Sequence, residues 1–191
     1  MTDPIAQFRA WFDAAAEAGV VFPETTTLAT ASAGGAPSAR MVLLKGADED
    51  GFVFYTGHES RKGRELAENP RAALVFYWQP LGRQVRVEGT VERVAPQESD
   101  AYFASRPRGS QLAAWASQQS RPLASREELE QRYAEVEAEY DGRDVPRPER
   151  WGGYRLRPNA IEFWEHRDNR LHERFRYTRA RESWVAEILS P

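Results

Sequence analysis

Residues 83–94 read Arg83-Gln84-Val85-Arg86-Val87-Glu88-Gly89-Thr90-Val91-Glu92-Arg93-Val94. Val85, Val87 and Val91 share one parity; Gln84, Arg86, Glu88 and Glu92 share the other. Successive side chains of a strand point to opposite faces, so the stretch is a half-buried strand. Just upstream, Ala72 to Trp78 is apolar on both parities, as a central strand is. Further toward the N-terminus lie three short β-prone runs: Thr26 to Ser32, Arg40 to Lys45 and Phe52 to Thr56. Gly34-Gly35 and Asp48-Glu49-Asp50-Gly51 separate them, which is the pattern of antiparallel hairpins. On the C-terminal side, strands are expected at about 153–157 with 160–165, at 171–178 and at 183–189.

Helices interrupt these strands. Asp3-Pro4 gives an N-cap followed by proline at the first helical position. Ile5, Phe8, Trp11, Phe12 and Ala15 recur at helical spacing until Gly19, which predicts a helix over 4–18. A second runs from Ser60 to Glu68 and stops at Asn69-Pro70. Three more are expected at about 97–105, 110–117 and 126–140, before a proline-rich loop from Asp141 to Arg150. The order is α, three β, α, two β, three α, three β. Short sequential strands of this kind give a β-rich α+β fold, an antiparallel barrel with peripheral helices. The expected organisation is one domain over 1–191, with an N-terminal helical segment (1–24) and a helical insertion (96–140).

Composition removes several function classes. Apolar residues make up 41%, enough for a core, and the net charge of −3 offers no general nucleic-acid surface. No apolar run is long enough to span a bilayer. The start, Met1-Thr2-Asp3-Pro4, lacks a signal-peptide pattern, so a cytoplasmic protein is expected. Cysteine is absent, which removes disulfide and thiolate chemistry. His58, His166 and His172 show no metal-ligand spacing, so no metal site is expected. No G-x-G-x-x-G follows a strand, against a Rossmann site. Of 26 basic residues only Lys45 and Lys62 are lysine. Coding bias explains the rest, but a compact point charge differs from a planar fork where it is kept.

Three segments could carry chemistry. If Ser60 caps its helix, Arg61 and Lys62 lie in the first turn, against the dipole. A phosphate at that terminus would turn the cost into a gain; a solvated basic turn is the alternative. Tyr102 and Arg106 are four apart, and Ser110 can cap the next helix. The three form a second phosphate grip or a plain helix–turn–helix corner. On a strand, Arg170, His172, Arg174 and Arg176 would share one cationic face, suited to an anion or simply exposed.

Many motifs resemble one known family. They are Arg40-Met41-Val42-Leu43-Leu44-Lys45, Phe54-Tyr55-Thr56, Ser60-Arg61-Lys62, Arg83-Gln84-Val85, Tyr102 to Gln111, Gln119-Ser120, Trp151-Gly152-Gly153, Glu162-Phe163-Trp164 and Arg170-Leu171-His172. In order, from about residue 25 onward, they resemble the pyridoxamine/pyridoxine 5′-phosphate oxidases. The resemblance implies an FMN-binding split barrel and a homodimer with FMN at the interface. It implies FMN contacts from Arg40, Met41, Val42, Leu43, Leu44, Lys45, Tyr55, Thr56, Arg61, Lys62, Gln84, Gln119, Ser120, Trp164 and Arg174. Lys45, Tyr102, Arg106 and Ser110 would hold the substrate phosphate, with catalytic Arg170 and His172 flanking the pyridine ring. The two lysines would thus fall one in each phosphate site.

The implied chemistry is oxidation of a phosphorylated pyridine at C4′. Hydride passes to the flavin, O2 is reduced to H2O2, and the product is pyridoxal 5′-phosphate. Three departures from the family pattern bear on substrate closure. Only about 25 residues precede the first strand, Glu165-His166-Arg167-Asp168-Asn169 replaces the usual Gln-Gly start, and Ile188 stands where arginine is common. A related flavin oxidase of the phenazine-biosynthesis type is the nearest alternative. A non-catalytic flavin or pyridoxal-phosphate binding protein is another.

Overall fold

The computed structural model describes residues 3–181 and 183–191. Helix α1 spans Pro4–Glu17, and the Asp3 side chain caps it by accepting from the Ile5 N–H at 3.0 Å. Strands β1 (Thr25–Ala31), β2 (Pro37–Leu43), β3 (Gly46–Asp48) and β4 (Gly51–Gly57) follow. Helix α2 covers Arg61–Glu68 and ends at Asn69, ahead of Pro70. Next come β5 (Arg71–Trp78) and β6 (Arg83–Arg93). Helices α3 (Pro96–Ser105), α4 (Arg108–Ala116) and α5 (Arg126–Glu139) form the expected insertion. Strands β7 (Trp151–Glu165), β8 (Glu173–Ala180) and β9 (Ser183–Ile188) close the chain. No described helix is long and apolar enough to cross a membrane.

All strand pairs are antiparallel, in the order β2-β1-β5-β6-β7-β4-β3, with β8 on β7 and β9 on β8. The long β7 is where the barrel splits. Its first half pairs with β4 and its second half with β8, while β6 follows it along the other edge. The change of partner coincides with a register shift between Glu88 and Gly89, opposite Pro158. Proline has no N–H to give a ladder and is tolerated at a bulge. Gly89 admits the bend, since a Cβ there would meet the Arg157 carbonyl oxygen at 2.0 Å.

The inner face buries Leu28, Leu74, Phe76, Trp78, Val85, Val87, Ile161 and Phe163. Helix α1 closes this core with Ile5, Phe8 and Ala15. The Phe8 ring meets Phe52 and Phe76 edge-on, at 4.8 and 5.0 Å between centroids. A second cluster lies under the insertion, where Phe103, Leu112, Val145 and Trp151 are buried and Tyr133 and Val136 of α5 pack on them.

The sequence reading needs four corrections. The short β3 was not expected. The strand expected at 153–157 with 160–165 runs unbroken from Trp151 to Glu165, because the bulge carries pairing past Pro158. The strand expected from 171 begins at Glu173. Asp168–Arg170 form a 3-10 turn instead, with Asn169 (φ 56°) and Arg170 (φ 62°) left-handed, so Arg170 and His172 do not share a strand face with Arg174 and Arg176. Finally, α4 begins at Arg108 after Pro107, which puts Ser110 inside the first turn rather than at the cap.

Helix α2 is pressed against the loop before it. A Cβ on Gly63 would meet the His58 carbonyl oxygen at 2.1 Å. Alanine normally stabilises a helix interior over glycine by about 1 kcal/mol. Here Gly63→Ala is expected to destabilise by about 1–3 kcal/mol in urea unfolding. A gain in stability would show that α2 can shift freely.

Candidate active site

A cleft of about 380 Å³ lies between β2, β4, the start of α2 and the α3–α4 corner. Its floor is cationic. Ser60 caps α2, its Oγ accepting from the Gly63 N–H at 3.2 Å. That fixes Lys62 in the first turn, pointing inward. Lys62 is buried, and its Nζ donates to Thr56 Oγ1 at 3.1 Å and to Ser60 Oγ at 3.4 Å. Both partners are hydroxyls, not carboxylates. Burial and the nearby Arg40 charge push Lys62 down to about 8, against the pull of Glu65. Thr56 Oγ1 also donates to Gln119 Oε1 at 2.9 Å, which ties the loop after α4 to β4.

Arg40 and Arg61 lie beside this floor rather than on the cleft wall, and both are bound to Glu65. Arg40 Nη2 reaches Glu65 Oε2 at 3.2 Å, and Arg61 Nε reaches Oε1 at 2.8 Å. Thr30 and Ser38 hydroxyls donate to the same carboxylate at 2.5 and 2.6 Å. Burial opposes the charge on Glu65, yet these hydrogen bonds outweigh it and hold the carboxyl at about 2. The sequence offered one clue, an Arg61–Glu65 spacing of four.

The facing wall is aromatic. Tyr55 stacks on Tyr102 at 3.9 Å, and Trp151 lies near-parallel to both. Arg106 stands at the α3 end, as expected, with its guanidinium carbon 4.6 Å from the Trp151 ring centroid. Lys45, Met41, Val42, Leu43 and Ser110 complete the predicted residues that line the cleft. Leu44 points into the core instead. Ser120 sits next to Gln119 with φ 69° and is not part of the wall. Trp151, Gln118, Arg121 and Arg150 line it without having been expected. Arg150 donates to the Ala114 and Trp115 carbonyls, capping the C-terminal end of α4.

The remaining predicted residues form a second cluster. Gln84, Trp164 and Arg174 are cross-strand partners on β6, β7 and β8 and share the outer face. Arg174 Nε donates to buried Glu162 at 2.9 Å. The His172 ring lies 4.6 Å from Trp164. Its Nδ1 accepts from the Arg167 main-chain N–H at 3.1 Å, so the neutral ring carries its proton on Nε2. Arg170 precedes it on the left-handed turn. From β2 to β6 is three strand steps and to β8 five, so Leu43 is on the order of 14 Å from Gln84 and 24 Å from Arg174 along the sheet. None of Gln84, Trp164, Arg170, His172 and Arg174 lines the cleft of the same chain. Among the described residues no His, Asp or Glu group could hold a metal ion.

The sequence family described as pyridoxamine 5′-phosphate oxidase matches residues 12–140, which takes in β1 to β6 and the cleft lining apart from Arg150 and Trp151. The chain belongs to the pyridoxine/pyridoxamine 5′-phosphate oxidase family. It is therefore an oxidoreductase of that family. A second match, to the pyridoxine 5′-phosphate oxidase C-terminal dimerisation region, covers residues 151–191 and so contains Trp164, His172 and Arg174. The pyridoxine/pyridoxamine 5′-phosphate oxidase of Rubrobacter xylanophilus is 60% identical over 99% of this chain and 87% of its own length. The structure of PhzG from Burkholderia lata, in complex with tetrahydrophenazine-1-carboxylic acid, superposes with a TM-score of 0.95 at 36% identity, covering 100% of this chain and 94% of that one. A pyridoxamine 5′-phosphate oxidase-related, FMN binding protein from Nostoc punctiforme shares the split-barrel fold, with a TM-score of 0.77 at 18% identity and full coverage of both chains.

Glu65 carries two tests of this electrostatic arrangement. Glu65→Gln leaves Arg40 short of its counter-charge and is expected to cost about 3 kcal/mol at neutral pH. The stabilisation from the carboxylate is complete above its ordinary 4.5 and is lost as pH falls toward about 2. The gap between wild type and variant should therefore close over that window in denaturant titrations.

Proposed function

We propose that this chain is an FMN-dependent oxidase that converts pyridoxamine 5′-phosphate and pyridoxine 5′-phosphate to pyridoxal 5′-phosphate, with O2 as acceptor and H2O2 as product. The observation that carries the reading is a pair of cations facing one cleft without anions of their own. Lys62 is buried against hydroxyls, and Arg106 Nη1 is buried with no hydrogen-bond partner. A buried charge of this kind is costly unless an anion meets it. Two such groups suit two phosphates, one on a cofactor and one on a substrate.

On this reading the FMN phosphate is held at the α2 terminus by Lys62, Thr56 and Ser60, with Arg40 and Arg61 adding charge from behind. Bound FMN would supply the two-electron acceptor chemistry that no side chain here provides. Met41, Val42, Leu43, Lys45, Tyr55 and Gln119 border its place. Lys45, Tyr102, Arg106 and Ser110 grip the substrate phosphate. Gln84, Trp164, Arg170, His172 and Arg174 do not line this cleft in the same chain, so on this reading a second copy supplies them. This is why we infer a homodimer with its sites between subunits, in keeping with the matched dimerisation region. Residues 1–191 then act as one domain, since β7 pairs with strands of the N-terminal match on both sides. Arg170 would lie against the pyridine ring. His172, with its proton on Nε2, gives a hydrogen bond to the substrate and does not accept one while neutral.

The likeness to PhzG supports a second reading, oxidation of an unphosphorylated ring acid. Tyr102, Arg106 and Ser110 favour the phosphorylated substrate. Oxygen consumption by the FMN-loaded protein separates the two readings. Rapid uptake is expected with pyridoxamine phosphate and pyridoxine phosphate and not with their unphosphorylated forms. No uptake with either phosphate would reject the proposal. Arg170→Ala should reduce turnover far more than FMN affinity, and unchanged turnover would remove its role.

Lys62 gives a pH signature. Only its protonated form attracts phosphate, and the phosphate is fully ionised only above about pH 7, so FMN affinity is expected to fall as pH rises through about 8. Lys62→Met should bind FMN more weakly and lose that dependence. An unchanged pH profile in the variant would place the phosphate elsewhere.

A further inference from the structure

Arg106 combines two features that a phosphate grip does not by itself require. Its Nη1 is, among the described residues, the buried side-chain nitrogen without a hydrogen-bond partner. Its guanidinium also lies over aromatic faces, 4.6 Å from the centroid of Trp151 and 5.5 Å from that of Phe103. Arginine has a long, freely rotating side chain, and ordering it costs entropy. A guanidinium laid on an indole keeps its N–H groups at the edge, free to form a fork, while the flat face is held.

Trp151 is itself fixed. It begins β7, its N–H donates to the Pro148 carbonyl at 3.0 Å, and its carbonyl accepts from Arg147 Nη1 at 2.7 Å. Its ring is nearly parallel to Tyr102, at an interplanar angle of 8°, and to Tyr55, at 13°. The indole is thus clamped by main chain and by neighbouring rings, and Arg106 rests on the clamped surface.

We infer that Trp151 is a positioning residue, which holds the Arg106 guanidinium so that Nη1 is aimed into the cleft before substrate arrives. This rests on the proposal that Arg106 grips a phosphate. Preorganisation of this sort strengthens binding of the phosphorylated form specifically, because the ordering is complete beforehand.

The test compares pyridoxal 5′-phosphate with pyridoxal, titrated against the full-length FMN-loaded protein by fluorescence. The readout is the ratio of the two affinities, with FMN affinity measured alongside as a check on the fold. Wild type is expected to prefer the phosphorylated aldehyde. Trp151→Leu should reduce that preference on the order of tenfold with FMN affinity unchanged. Trp151→Phe, which keeps an aromatic face, should retain most of it. An undiminished preference in Trp151→Leu overturns the positioning role while leaving the phosphate grip intact. No preference in wild type overturns the grip, and the inference with it. Should Trp151→Leu not fold, Trp151→Met, which fills more of the indole's space without an aromatic face, decides in wild-type and Arg106→Met backgrounds. A loss confined to the background that keeps the guanidinium supports the role, and equal losses in both overturn it.

Discussion

The structure depends on one close passage of main chain. Where β6 bends around β7, the Arg157 carbonyl occupies the space of a side chain at residue 89, and Pro158 needs no ladder partner. That contact lets one strand of 15 residues pair with β4 along its first half and with β8 along its second. Trp151, at its start, faces the cleft; Trp164, near its end, belongs to the distant cluster. The bend therefore sets how far apart these two tryptophans of one strand lie.

Charge is distributed around this frame with a clear division of labour. Glu65 takes up Arg40 and Arg61 and holds them with two hydroxyls, so these cations contribute field without being free to move. Lys62, one residue along from Arg61, is left with hydroxyls alone. The difference follows from helix geometry. Arg61 is one turn from Glu65 on the same face, whereas Lys62 is rotated about 100° toward the cleft. One basic turn thus supplies both a structural ion pair and a buried lysine held by hydroxyls alone.

Much of this was legible in the sequence, because parity and capping are local properties. The alternation of Val85, Val87 and Val91 identified the inner face, and Ser60 identified the start of α2. The cleft residues Lys45, Lys62, Tyr102 and Arg106 came together as expected. Errors arose where a distant contact overrode a local signal. Pro158 reads as a strand break, yet a bulge opposite Gly89 absorbs it. Ser110 reads as a cap, yet Pro107 starts the helix earlier. Arg170 and His172 read as strand residues, but two left-handed residues delay the strand to Glu173. Trp151 carried no signal of its own as a wall of the cleft, because nothing local says that α3 will lay an arginine on it.

The turn before β8 has a consequence for how this enzyme can vary. The proton on the His172 ring is assigned by the main chain of residue 167, not by any side chain. Substitution at 167 leaves that assignment untouched unless proline removes the N–H. The chemical state of the ring is thus inherited from the shape of the turn, and the letters around it are free to drift.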